Sequence, residues 1–280
     1  PLLVSVLPRV IPGASAVLSP ARTLRFEHLS VEQGLAQESV MAITQDRDGF
    51  MWFGSQGGLS RFDGYRVINY RHEIGNPRSL PNNWVAVLHV DRRGTMWIGT
   101  DGGLARFDPN TQSFTLHLPQ EKVRRGNGNR HIRAITDDGK GGLWIGTADG
   151  LQHLDPASGK FTAWNHVPDD PGSLADNQVS ALALEANGRL WVGTAAGLDS
   201  LEPGTRKFVH HRAGSSGMEE NTIRALLIDA RQRLWIGTMG GLDRVDTRAQ
   251  RPLVRRRFGD AEGIRRGDIR SLYRDAEGIV

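Results

Sequence analysis

Three arginines, Arg133, Arg224 and Arg270, stand in matching short contexts, "HIRAI", "TIRAL" and "DIRSL". Each sits between two positions filled by apolar or small residues. Planar guanidinium forks gathered at one point would bind carboxylates or sulfates, so this column favours an acidic ligand. The same column elsewhere reads Met41, Ala86 and Ser180. The competing reading is that each arginine pairs with a neighbouring acid or points into solvent. A second set of polar groups lies in the variable segments "EQGLAQES", "SLPNNW", "RGNGNRH", "SLADNQ", "GMEENT" and "EGIRRGD". Asn82, Asn83, Asn177, Gln178 and Asn221 bring amide donors and acceptors there, while Trp84 and His131 bring stacking faces. That combination suits sugars or peptides, although asparagine is equally at home in turns.

Other chemistry finds little footing. "DRDG" at Asp46 begins like a calcium loop, but "FMWFG" follows without further ligands and the turn recurs along the chain. It reads as a hairpin turn. His210 and His211 are neighbours, and neighbours on a strand face opposite sides, so they do not make a metal pair. "GNGNRH" at Gly126 lacks the last glycine and the helix of a dinucleotide motif. Ser215 and Ser216 have no histidine and acid at motif spacing. The absence of cysteine excludes disulfides, thiolate metal sites and a cysteine nucleophile. No catalytic residue, metal or cofactor is expected. The 35 Lys and Arg are interspersed with 31 acids, and "RRR" at Arg255 to Arg257 fits a solvated edge strand better than a nucleic-acid patch, so no nucleic-acid partner is expected.

The elements that hold these residues are set by repetition. "MWFGSQGGLSRFD", "MWIGTDGGLARFD", "LWIGTADGLQHLD", "LWVGTAAGLDSLE" and "LWIGTMGGLDRVD" place tryptophans at Trp52, Trp97, Trp144, Trp191 and Trp235, at intervals of 45, 47, 47 and 44 residues. Such a period fits either a four-stranded propeller blade or a helical pair. Val40, Val85, Ile132, Val179 and Ile223 align, and two residues later Ala42, Val87, Ala134, Ala181 and Ala225 align. A period of two means strands. Asp, Asn and Gly-rich turns separate them, so each period holds four short antiparallel strands. One such blade has two apolar faces and buries them only by stacking on copies of itself. The tryptophans fill the wedges between blades, the glycines permit positive φ and close approach, and the closing acids Asp63, Asp108, Asp155, Glu202 and Asp246 accept hydrogen bonds from the next turn.

The expected fold is therefore an all-β propeller of four-stranded antiparallel blades over 24–280, with repeats around 39–72, 83–118, 130–166, 177–212 and 220–258 and a partial one at 267–280. The chain reaches Val280 one residue before a sixth tryptophan is due, so the ring is expected to be incomplete, about five whole blades plus partial ones. "LRFEHLSVEQGL", Leu24 to Leu35, resembles the last strand and exit loop of a period and would complete a blade encoded beyond Val280. Residues 1–23 read as a disordered tail or, from "ASA" at Ala14, a signal-peptide remnant. No apolar run approaches the length of a membrane span.

The unit "(S/N)xVxAIxxDxxGxxWIGTxxGLxRxD" resembles the two-component regulator propeller repeat, matched at 39–63, 83–108, 130–155, 177–202 and 220–246 and in part near Arg270. The resemblance implies a sensor region on the periplasmic or extracytoplasmic side of the inner membrane, joined through a downstream helix to a histidine kinase, response-regulator or diguanylate cyclase output. It implies signal input by a small ligand but does not carry the ligand's identity across; the arginine column makes an acidic oligosaccharide the expectation, with a homodimer of the full-length protein as a further one. The chain itself is expected not to be an enzyme. Two rivals are a propeller lyase of the streptogramin-lyase type, with His131 as its inner-loop histidine and Glu38, Glu219 and Glu220 as its acids, and a pure protein-interaction scaffold.

Overall fold

The computed structural model describes residues 28–119, 130–211, 222–247, 254–258, 264, 267–275, 278 and 280. Residues 1–27, with the expected tail and the start of the expected N-terminal strand, lie outside this set. So do Asn221, Ser215, Ser216 and the glycines of "GNGN".

Alternating apolar residues and tight turns fold each period as expected, into one of five four-stranded antiparallel sheets with the strands in chain order. In the first, Val40–Gln45, Met51–Ser55, Gly58–Phe62 and Val67–Tyr70 run from inside to outside. The other inner strands are Val85–Val90, Ile132–Asp137, Val179–Leu184 and Ile223–Ile228, and each lies against the next. Among the described residues the five blades thus form an all-β propeller arc that is not closed by sheet pairing. The one described helix is a 3₁₀ turn, Val31–Gln33, capped by Ser30.

Four seams hold the blades together, each an apolar cluster shared by two neighbours. Trp52 and Leu59 meet Val85, Ile98 and Phe107, and Trp97 and Leu104 meet Ile132 and Ile145. Leu151 and Trp144 meet Val179 and Val192, while Trp191 and Leu198 meet Ile223 and Ile236. A tryptophan burying about 150 to 250 Å² contributes roughly 4 to 6 kcal/mol of gross transfer energy, an upper bound. Polar anchoring fixes the ring. Asp46 accepts the Trp52 indole N–H at 2.7 Å, Asp91 that of Trp97 at 3.0 Å, Glu185 that of Trp191 at 2.6 Å and Asp229 that of Trp235 at 3.0 Å. Asp46 Oδ1 also accepts the amides of Asp48 and Phe50, so the "DRDG" acid builds a hairpin. Blade three differs, since Asp138 pairs with His153 Nε2 at 2.8 Å and that ring packs edge-on against Trp144.

The glycine inside "WIGT" explains how closely the blades approach. A Cβ added at Gly193 would stand 2.5 Å from Ile223 Cγ2, and one at Gly146 would stand 2.6 Å from Val179 Cγ1. Any larger residue would wedge the seam open. The same contact recurs between Gly237 and Ile269, and the Ile269 amide donates to Thr238 O at 2.9 Å. Residues 268–270 therefore take the inner-strand place beside blade five. Three of the closing acids act in turns as expected: Asp63 Oδ1 accepts the amides of Tyr65 and Arg66, Asp108 that of Asn110 and Asp155 that of Ala157, whereas Glu202 Oε1 accepts from Arg189 Nε. The "RRR" stretch lies on the outer strand Val254–Phe258. Arg257 there makes a two-pronged pair with buried Asp243 at 2.8 and 2.9 Å, and Arg256 lies over Phe258.

Candidate functional site

In the pairing of first and second strands, the ladder slips by one residue at the same place in every blade. Val40 pairs with Ser55 but Ala42 pairs with Gly54, which leaves Met41 as the extra residue. The same slip leaves Ala86, Arg133, Ser180 and Arg224 unpaired in their blades. A bulge kinks the strand and re-aims the side chain of its extra residue. Here the bulge turns the variable column toward one space. Ala86, Arg133, Ser180, Arg224 and Arg270 line a cavity of about 330 Å³, at the small end of the roughly 300 to 1,000 Å³ usual for ligand sites.

The three arginines predicted from the sequence are brought together, each from a different repeat. Their electrostatics are uneven. Arg270 Nε donates to Asp268 Oδ2 at 2.7 Å, and Arg224 Nε stands 3.6 Å from Asp268 Oδ1. Arg133 is exposed and has no hydrogen bond or ion pair among the described residues. Asp268, three-quarters buried, holds Oδ1 without a hydrogen bond among the described residues. Sequence reading found the arginines and missed this aspartate, although "GDIR" places it two residues before Arg270. Ser180 directs its hydroxyl to Ile223 O at 2.6 Å and so ties two inner strands together, while Ala86 leaves space.

The amide and aromatic candidates lie elsewhere, for none of Asn83, Trp84, His131 and Asn177 lines this cavity. Asn83 Oδ1 accepts the His72 amide at 2.7 Å, and Asn177 Oδ1 accepts the His166 amide at 2.7 Å. Both asparagines close a loop that the sequence writes twice, "HEIGNPRSL" and "HVPDDPGSL". His72 Nδ1 lies 2.7 Å from Leu80 O and His166 Nδ1 lies 2.7 Å from Leu174 O; a carbonyl only accepts, so Nδ1 carries the proton in each ring. Ser79 and Ser173 take the amides of Glu73 and Val167. The signal for this structural role was the shared spacing of His, Ser, Leu and Asn in the two loops. His131 Nδ1 stands 3.1 Å from Asp101 Oδ1 on the preceding blade. Trp84 remains 39% exposed, with its carbonyl accepting from the Asp101 amide.

A larger cavity of about 550 Å³ opens between the turns of blades one and two. Its charges are of both signs and are engaged locally. Asp46 holds Trp52, Arg61 lies 4.8 Å over Phe50, and Arg47 donates to Arg92 O. It offers no concentrated charge of one sign. His210 and His211 divide between the faces of their strand. His210 pairs with buried Asp199 at 2.7 Å, and His211 bonds Ser200 at 3.0 Å beside Trp191, where burial pushes its pKa down to about 4.

The description "Two component regulator propeller" matches residues 34–57, 79–102, 126–149, 173–196 and 217–240. The chain belongs to the two-component regulator propeller family. Among solved structures this propeller is similar to the extracellular domain of the putative hybrid two component system BT3049 of B. thetaiotaomicron, with 29% identity and a TM-score of 0.69 over 79% of this chain and 30% of that one. It is similar also to the extracellular domain of the putative one component system BT4673, with 26% identity and a TM-score of 0.64 over 79% and 30%. The chain thus spans about a third of the length of these neighbours. A virginiamycin B lyase from Staphylococcus aureus shares the fold at 13% identity and a TM-score of 0.56, over 75% of this chain and 68% of the lyase. No curated protein matches the chain. Among the described residues, no helix of this regulator propeller is long and apolar enough to cross a membrane.

Proposed function

We propose that this regulator propeller is the ligand-sensing part of an extracytoplasmic signalling protein, and that it relays ligand binding to an output domain. The observation that carries the reading is the ordered run of five family repeats, together with the likeness to extracellular domains of putative two-component and one-component systems. The likeness to those extracellular domains supports a position on the periplasmic or outer side of a membrane, with the ligand met outside and the response made inside. The inner rim, where variable residues are held by invariant strands, is the natural ligand face, because a rigid scaffold lets loops and bulges vary without cost to the core.

The lyase alternative has only the shared fold in its favour. His131, the histidine such a reading would use, stands against Asp101 of the neighbouring blade.

The test is to express the protein with its native flanking sequence and record thermal shifts against a panel of acidic and neutral oligosaccharides and peptides, followed by the output of the intact protein in cells. A ligand at a hundredfold excess over its Kd adds about 2.7 kcal/mol to the folded state. A ligand that raises the melting temperature and changes output supports sensing. A panel that binds without any change in output removes the relay, and conversion of a panel member to product would move the protein to the enzymes.

A further inference from the structure

We infer that the bulge column is an anion site, in which Arg133, Arg224 and Arg270 bind the carboxylate or sulfate of a small acidic ligand and Asp268 is the built-in counter-ion that this ligand competes with. The inference rests on the sensing reading and adds the ligand's charge and its contacts.

Four observations carry it. The bulge recurs in all five blades, so the direction of the Arg133 and Arg224 side chains is a property of the backbone and does not depend on any one residue. Of the column residues that line the cavity, Ala86 and Ser180 are small and make room, and the other three are arginine; Met41 is not among the lining residues. Among the described residues Asp268 is the one carboxylate paired with this column, and it meets Arg224 and Arg270 but not Arg133, so three guanidinium groups share one negative charge around about 330 Å³. Arg270 is 83% exposed at its side chain, and an ion pair that exposed is worth about 0 to 1 kcal/mol, so Asp268 holds it weakly. Arg133 has no counter-charge among the described residues. An incoming oxyanion would use Arg133 first and share Arg224 and Arg270 with Asp268. The fork geometry of arginine suits two parallel N–H···O bonds to a planar carboxylate or to two oxygens of a sulfate.

The site also has a route to the rest of the molecule. Asp268 and Arg270 flank Ile269, whose amide bonds Thr238 and whose side chain sits against Gly237. An anion bridging Arg133 to Arg270 therefore ties blade three to the segment beyond blade five, across the arc. Binding would draw these two points together and stiffen the segment 267–271.

The experiment is isothermal titration of the chain with D-glucuronate, inorganic sulfate and D-glucose, in low-salt and high-salt buffers. Glucuronate binding without glucose binding is expected, weakening as salt rises. Arg133→Ala should reduce glucuronate affinity about tenfold or more, and Asp268→Asn should raise it several-fold by removing the competing charge while keeping an acceptor for Arg270. Arg66→Ala, an equal change of charge on an outer turn, should leave it unchanged. Sulfate binding alone identifies a sulfated ligand, glucuronate alone a carboxylated one, and both support the site. Equal binding of glucose, no anion binding at millimolar concentration, or an Asp268→Asn variant that binds more weakly would each overturn the inference. The sensing reading would survive any of those results, since it falls only if the full oligosaccharide and peptide panel leaves melting temperature and output unmoved.

Discussion

The seams between blades and the rim around the inner strands are built on the same repeats, yet they obey opposite rules. In the seams every column is nearly constant: a tryptophan anchored by an acid six residues earlier, a glycine against a β-branched residue of the next blade, an apolar partner on each side. At the rim the backbone is constant and the side chain is free, so one bulge position carries methionine, alanine, serine and arginine. Packing fixes the first because each side chain touches two blades at once. The second faces the space at the centre, where, apart from the Ser180 bond to the next inner strand, identity can follow a ligand.

The sharpest way to break the contrast is through the seam. Trp191 is fully buried, and Trp191→Ala should cost about 3 to 5 kcal/mol in urea denaturation, with loss of cooperativity between blades four and five. Equivalent residues should separate when only one is covered. Ile135 is 8% exposed between blades two and three whereas Ile43, its counterpart in blade one, is 52% exposed. Ile135→Ala should therefore cost about 2 to 5 kcal/mol and Ile43→Ala within about 0.5 kcal/mol of zero, so equal losses in the two would undo the seam account. Gly193→Ala should cost about 1 to 3 kcal/mol by forcing Ile223 away, measurable as a lower melting temperature.

A smaller effect concerns pH. His211 is held neutral by burial, with Arg189 and His210 adding to the shift, from an ordinary value of 6.5 down to about 4. Between those values the unfolded chain takes up a proton that the folded chain refuses, so stability falls as pH drops from 6.5 toward 4 and levels off below. His211→Gln should flatten that part of the melting curve's pH dependence; an unchanged slope would assign acid sensitivity elsewhere. Smallest of all in stability is the rim. Arg133→Ala should leave the melting temperature of the unliganded chain unchanged, because the side chain is exposed and unpaired among the described residues, while it weakens anion binding about tenfold or more.

How much of this could be read in advance follows the same division. The tryptophan interval, the paired columns and the turn residues gave the four-stranded blades, their number and their order, and Asp46 proved a hairpin acid as its local sequence indicated. Asn83 and Asn177 looked like ligand amides because sequence places them in variable segments, but a histidine amide eleven residues earlier uses the carbonyl of each. That partner is invisible until the loop is closed. Likewise the buried polar residues of the third strands were unremarkable in the sequence, and the fold gives them partners: Ser60 takes the Ala36 amide and Asp199 that of Ala175.

By itself the sequence determined the propeller, since strand period, turn chemistry and seam packing are short-range properties repeated until they add up to an architecture. It also named the arginine column, because alignment of repeats brings equivalent positions into register. Only the tertiary structure decided that Arg133, Arg224 and Arg270 share one space, that a bulge directs the first two there, and that Asp268 stands against Arg224 and Arg270. Those residues are separated by up to three blades along the chain, and their meeting depends on the curvature of the stack, which no single repeat encodes.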